Sequence, residues 1–194
     1  MIKNFKFSIL ESTKIKKKLL NKKFVLIIEK IIKKIYLNIK IGNKIYICGN
    51  GGSAADAQHL SAEFLVRLNP KNNRKAYPLI SLTENTTFLT ACGNDFGFTN
   101  IFKRNLEAVG KKNDILIALS TSGNSQNIIK VIKQAKKMDI KTISFLGKKG
   151  GRCLGLSNIE LIVPSNNVAR IQECHMFLGH FILNEVEKKL MKLK

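Results

Sequence analysis

The chain has no closely spaced cysteine pair, no long apolar run and little arginine. Its four cysteines, Cys48, Cys92, Cys153 and Cys174, are scattered without a C-x-x-C pair, which excludes a zinc ribbon or a thioredoxin-type motif. Buried free thiols in a reducing compartment are expected rather than a disulfide framework. No apolar run reaches the roughly 18–20 residues that a membrane span needs. The first residues, Met1-Ile-Lys-Asn-Phe-Lys6, resemble a signal-peptide start, but the apolar segment after them is short and is interrupted by Glu11 and Lys14. These absences predict a soluble, cytoplasmic protein with no membrane partner. Acidic residues are scarce too: 13 against 34 lysines and arginines give a formal net charge of +21. Such a charge raises the question of nucleic acid. The excess is mostly lysine, spread over helical segments among many Ile and Asn residues, all three types having A/T-rich codons. Arginine, the better fork for phosphate and guanine, is limited to Arg67, Arg74, Arg104, Arg152 and Arg170. Codon bias therefore explains the charge without a nucleic-acid partner, and the field is left to steer an anionic substrate inward.

What is present reads as a single α/β unit. The 194 residues suit one such domain with an appendage. Residues 5–40 predict two helices, with Phe7, Ile9, Leu10, Leu19 and Leu20, then Val25, Ile27, Ile28, Ile31, Ile32, Ile35 and Ile39 at helical spacing among lysines. The second apolar face is too wide for covering one sheet, so burial on two sides, as against a partner subunit, is expected. Strands are predicted at 45–48, 76–82, 114–119, 141–146 and 159–163, followed by a turn and a helical segment except at 141–146, where the loop Gly147-Lys148-Lys149-Gly150-Gly151 leads on to the next strand. Repeated βα units of this length predict a three-layer α/β fold, a parallel sheet of about five strands in flavodoxin-like order with helices on both faces. Ligands of such sheets bind at the carboxyl ends of the strands.

Two turns stand at such ends. After the strand at 45–48 comes Gly49-Asn50-Gly51-Gly52, then a helix with Ser53 as its natural N-cap, running to about Leu68. Glycines and unpaired helix N–H groups make this an anion cradle. The spacing is neither G-x-G-x-x-G nor a Walker loop, so no nucleotide follows from it. Two helical turns on, His59 and Glu63 stand four apart and share one face. The second turn, Ser120-Thr121-Ser122-Gly123-Asn124-Ser125, packs four hydroxyls before a helix, more than capping needs, and is the better phosphate site. One of these hydroxyls is expected to serve as an N-cap. Gly93-Asn94-Asp95-Phe96-Gly97-Phe98 reads as a glycine-bounded loop, either an Asx turn or a sugar-hydroxyl contact. The last helix, from about Ala169 to Leu190, carries Arg170, Gln172, Glu173, His175 and His180. His175 is read either as structural or as a support behind the site and is left out of the catalytic set, Arg170 as a substrate contact or a partner of Glu173, and Asp56 and Gln58 as solvated helix positions rather than site residues.

With these residues in view, the chain resembles a sugar isomerase (SIS) domain, and within that fold the phosphoheptose isomerase family. The matching segments are Cys48-Gly-Asn-Gly-Gly-Ser53, Gln58-His-Leu-Ser-Ala-Glu63, Gly93-Asn-Asp-Phe-Gly-Phe98, Ser120-Thr-Ser-Gly-Asn-Ser125, Gly150-Gly151 and Arg170-Ile-Gln-Glu-Cys-His175, with His180 beyond. The resemblance implies an N-terminal helical part, 1–42, in a subunit interface, followed by the SIS domain, 43–194, in a cytoplasmic homotetramer. It implies isomerisation of sedoheptulose 7-phosphate to D-glycero-D-manno-heptose 7-phosphate for lipopolysaccharide or capsule, with no nucleotide or redox cofactor. It implies that Ser120, Thr121, Ser122 and Ser125 hold the phosphate, and that Asn50, Gly51, Gly52, Ser53, Asn94 and Asp95 line the sugar site. Glu63 and His180 would form the acid–base pair. His59, Glu63, Gln172 and His180 match positions that bind zinc in family members. Gln172 and His180 are eight residues apart on one helix, about 12 Å between Cα atoms, so they must lean together or come from different subunits to share an ion. Two rivals remain at this point: a non-catalytic SIS protein that binds a replication initiator, and an isomerase of another sugar phosphate.

Overall fold

The computed structural model describes residues 1–192. Helices α1 (Ile2–Lys18) and α2 (Lys22–Lys40) lead into β1 (Ile45–Cys48), α3 (Gly52–Leu65), β2 (Leu79–Ser81), α4 (Thr86–Phe96) and α5 (Ile101–Val109). Then come β3 (Ile115–Ser120), α6 (Gln126–Lys137), β4 (Lys141–Leu146), β5 (Ile159–Ile162) and α7 (Val168–Met191). Asparagines start three of the helices: Asn21, Asn85 and Asn167 accept from Phe24 N, Phe88 N and Ala169 N, satisfying N–H groups the helix cannot bond internally.

The strands pair in parallel in the order β2-β1-β3-β4-β5. This is the flavodoxin-like order the βα repeats predict. Every residue of β1 and β3 is buried, as expected for short apolar strands covered on both faces. Alternate strand residues feed two cores. Ile45, Ile47, Ile115, Ile117, Ile143 and Phe145 pack with α2, α3 and α7. Tyr46, Cys48, Leu116 and Ala118 pack with α4, α5 and α6 on the other side. All four cysteines are buried and free, in line with the sequence. No described helix is long and apolar enough to cross a membrane.

The chain leaves β1 for β2 on one side and reaches β3 on the other, so β1 and β3 flank the topological switch point, where open sheets bind ligands. The two Gly/Ser-rich turns leave these two strands.

Several boundaries differ from expectation. Gly51, not Ser53, occupies the N-cap of α3, with no side-chain cap bond, and Ser53 is a buried first-turn residue. The helix stops at Leu65 rather than Leu68. The strand expected at 76–82 shrinks to Leu79–Ser81. Residues 93–96 are not a loop: the Asn85 cap carries α4 through Gly93 to Phe96, and Gly97, at φ 78°, ends it. An interior glycine costs a helix about 1 kcal/mol, too little to break one that is capped and continued.

Candidate active site

His59, Glu63 and His180 meet in one chain. His59 Nε2 lies 2.9 Å from His180 Nε2 and 3.7 Å from Glu63 Oε1. The ligand-type atoms of all three lie within 4.8 Å of one another. The rings of His59 and His180 meet edge to face, with centroids 5.0 Å apart. The helix period puts His59 and Glu63 on one face of α3, and α7 brings His180 across. That approach depends on Gly179: a Cβ there would fall 2.5 Å from Leu60 Cδ1, in the packed seam between the helices. The three polar residues open into a cavity of about 580 Å³, which Phe177, Phe181 and Asn184 also line.

The His180 imidazole is held below its ordinary pKa, first by burial and then by the neighbouring His59, with Glu63 opposing both. A neutral imidazole can accept a proton at one nitrogen and donate at the other.

The C-terminal end of α3 is tied down by a residue the sequence did not single out. Arg74 donates to the backbone carbonyls of Glu63 at 3.2 Å and Phe64 at 3.0 Å, and to Glu187 of α7 at 2.6 Å. Glu187 also accepts from Asn72 Nδ2 at 2.6 Å. Burial pushes the Glu187 carboxyl up, but these hydrogen bonds and the Arg74 charge outweigh it and hold the pKa below the usual range. In sequence, Glu187 is one acidic residue among terminal lysines, with nothing to mark it as buried.

The glycine turn lies beside the same helix. Gln172 of α7 rests its amide against Gly52, so closely that a Cβ at Gly52 would collide with it. Asn50 and Asn127 exchange two side-chain hydrogen bonds. Asn127, also missed in sequence, stands two positions beyond the Ser120–Ser125 segment.

In that segment Ser120 is buried and its Oγ accepts from Gly123 N at 3.1 Å, while Ser122 Oγ accepts from Asn124 N at 3.1 Å. Ser125 holds the N-cap position of α6 but makes no side-chain cap bond, against the expectation that one hydroxyl here serves as a cap. Thr121, Ser122 and Ser125 are half-buried, at the positive end of the α6 dipole. Gly150 lies against Gly123, and Arg152 N donates to Asn124 Oδ1 at 3.0 Å, so the 148–153 turn backs the segment.

Other candidates fall elsewhere. Asn94 and Asp95 are exposed on the last turn of α4 and bond to each other at 2.8 Å. Their helix belongs to the sheet face opposite α3 and α7. Arg170 pairs with Glu173 at 2.7 Å and donates to Ser8 of α1 at 3.0 Å, so it fastens the first helix to the last. His175 is buried beside Leu146 O at 3.3 Å, and burial pushes its pKa down to about 4. Asp56 is not a solvated helix position: one carboxylate oxygen is buried without a partner, and burial raises its pKa against the pull of His59. Gln58 Nε2 donates to Thr83 O at 2.9 Å, holding the end of β2.

Comparison with known proteins matches the chain to a family. An SIS domain model matches residues 11–147. A phosphoheptose isomerase of Clostridium acetobutylicum is 48% identical over 163 residues, covering 84% of this chain and 82% of that protein. The chain belongs to the phosphoheptose isomerase family of SIS-domain proteins. Solved phosphoheptose isomerases superpose over nearly the whole length. The one from Francisella tularensis has a TM-score of 0.91 at 32% identity, covering 96% of this chain and 98% of that one. The one from Neisseria gonorrhoeae has a TM-score of 0.89 at 33% identity, with the same coverage of 96% and 98%. The membership agrees with the resemblance carried by the motifs.

Proposed function

We propose that this member of the phosphoheptose isomerase family converts sedoheptulose 7-phosphate to D-glycero-D-manno-heptose 7-phosphate, a precursor step for heptose in surface glycans. The observation that carries the reading is the convergence of the Glu63 carboxylate with the His59 and His180 imidazoles in one cavity. Ketose–aldose exchange removes a proton from the carbon next to a carbonyl and returns one to its neighbour through an enediol. It needs a base at carbon and a proton donor at oxygen, each worth about 10²–10⁴-fold in rate. Glu63 takes the carbon proton, and His180, neutral through burial and the nearby His59, exchanges the oxygen proton. Thr121, Ser122, Ser125 and the first N–H groups of α6 hold the phosphate, with Ser120 bracing the turn through Gly123. The Asn50–Ser53 turn faces the sugar. No step transfers electrons to a redox carrier or uses a nucleotide.

Zinc fits the residues present: two imidazole nitrogens and a carboxylate oxygen are donors it takes, and they already converge. His59, Glu63 and His180 would hold it, with Gln172 as a fourth and less usual donor, in a state other than the one in which Glu63 acts as base, because a metal-bound carboxylate has a lone pair engaged. Bound there, zinc would polarise the substrate carbonyl. Metal analysis of protein purified without chelator, with thermal shifts for wild type and His59→Ala, tests this. Zinc should raise the wild-type Tm and leave that of the variant unchanged; equal shifts would remove zinc from the site.

The same reading includes a cytoplasmic homotetramer. An apolar groove of about 1110 Å³ runs between α1, α2 and α7, and Phe177 and Phe181 line both it and the His59–His180 cavity. A second copy in the groove would close the site. Asn94 and Asp95, on the opposite sheet face, would reach a sugar more readily as a neighbour's contribution. The four buried free thiols suit a reducing compartment. Light scattering on wild type and Phe181→Asp tests the assembly: a monomeric wild type would overturn it.

Incubation of the purified protein with a panel of ketose phosphates tests the activity. Conversion of sedoheptulose 7-phosphate is expected. Its failure, with and without added zinc, would turn the reading towards a binding protein or an isomerase of another sugar.

A further inference from the structure

Both ligand-facing turns leave the switch point between β1 and β3, and one side-chain pair bridges them. Asn50 Nδ2 donates to Asn127 Oδ1 at 2.9 Å, and Asn127 Nδ2 donates to Asn50 Oδ1 at 2.8 Å. Asn127 is 3% exposed, and its Oδ1 also accepts from Ile128 N at 3.0 Å. The amide is therefore oriented by α6 itself and presents one donor and one acceptor edge-on. The Asn50 amide, in one orientation, satisfies both. One helical turn further, Lys130 Nζ donates to Thr99 Oγ1 at 2.8 Å and Asn100 Oδ1 at 3.1 Å, in the segment that follows Asn94 and Asp95. The helix that begins at the phosphate turn thus holds the Asn50 turn and the Thr99–Asn100 segment by polar ties.

We propose that Asn127 is a positioning residue that fixes the Asn50–Gly52 turn relative to the phosphate turn. This rests on the isomerase reading of the two turns. A sugar phosphate is gripped at one end and reacts at the other, so the separation of the two turns sets where the reacting carbons lie. Displacement by about 1 Å can cost up to about 10²-fold in rate. Asn50 commits one amide hydrogen and one lone pair to Asn127, leaving one of each for the sugar. Asn127 accordingly acts on turnover and not on phosphate affinity.

Asn127→Leu, which keeps the number of side-chain heavy atoms and removes the tie, is the test, with Asn127→Ala as a second variant if the larger leucine does not fold. Amide exchange in the ligand-free protein should quicken at Gly49–Gly52 by about 10-fold or more, with the middle of α6 unchanged. With substrate, kcat should fall by about 10–100-fold while inhibition by inorganic phosphate stays as in wild type. Unchanged exchange at the glycine turn, or wild-type kcat in a folded variant, would overturn the proposal. So would weakened phosphate inhibition with kcat intact, which would make Asn127 part of the phosphate grip. A wild type inactive on ketose phosphates would remove the isomerase reading, and the exchange measurement would still decide the tie.

Discussion

Arg74 Nε lies 2.6 Å from Glu187 Oε2, with the two side chains 2% and 0% exposed. The guanidinium lies beside both Phe64 and Tyr77, its carbon 5.4 Å and 4.5 Å from their ring centroids, which are themselves 5.3 Å apart. A buried ion pair seldom stabilises more than well-packed apolar residues would, but losing one partner strands the other charge. Here the pair ties the end of α3 to α7, the two helices that present Glu63 and His180. Arg74→Met alone should cost about 3–5 kcal/mol in urea denaturation. The double change Arg74→Met with Glu187→Leu should recover much of that stability while kcat stays low, because α3 loses the carbonyl contacts at Glu63 and Phe64. Full activity in the stable double variant would show that the pair has no part in placing the site.

Glu63→Gln removes the proposed base and keeps its size. The variant should fold normally and lose about 10²–10⁴-fold in kcat, with inhibition by inorganic phosphate unchanged. Normal turnover in the folded variant would rule out Glu63 as the base.

Gly179→Ala places a methyl group against Leu60 in the seam between α3 and α7. The buried leucine must shift, and overpacking of this kind costs about 1–3 kcal/mol. The helices should part slightly beside His59 and His180, so activity should fall together with Tm. A Tm equal to that of wild type would show that the seam has slack.

His175 predicts an acid-sensitive fold. Its pKa falls from 6.5 to about 4 on folding, so the unfolded chain takes up the proton first. The neutral form's stabilising share is full above about pH 6.5 and is lost as pH falls to about 4, roughly 3 kcal/mol in all. His180, also lowered, adds in the same direction. Denaturation midpoints of wild type and His175→Gln between pH 7 and 4 should converge as the pH drops. Parallel curves would assign the acid sensitivity elsewhere.

Much of this protein was legible in one dimension. Runs such as Ile45–Cys48 and Ile115–Leu119, each followed by a turn and a helical stretch, specify buried parallel strands because burial and helical crossovers are local consequences of patterning. The i, i+4 spacing of His59 and Glu63 places both on one face by helix geometry alone. The hydroxyls of Ser120–Ser125, the proposed phosphate grip, are visible for the same reason, since their setting is a single strand–turn–helix. Helix ends were less legible: α4 runs through Gly93, Asn94 and Asp95 although all three are weak helix formers, because each costs about 1 kcal/mol or less and the helix is capped at Asn85.

What only the tertiary structure decided is which distant residues meet. His180 joins His59 and Glu63 from the same chain, across a seam that needs a glycine at 179. Glu187, a carboxylate among lysines, turns inward because Arg74 and Asn72 meet it there. Asn127 looks like any polar residue in a first helical turn until Asn50 arrives from another strand. Such pairings depend on how sheet and helices stack. A hydrogen bond or ion pair between residues 77 or 113 positions apart leaves no periodic trace along the chain.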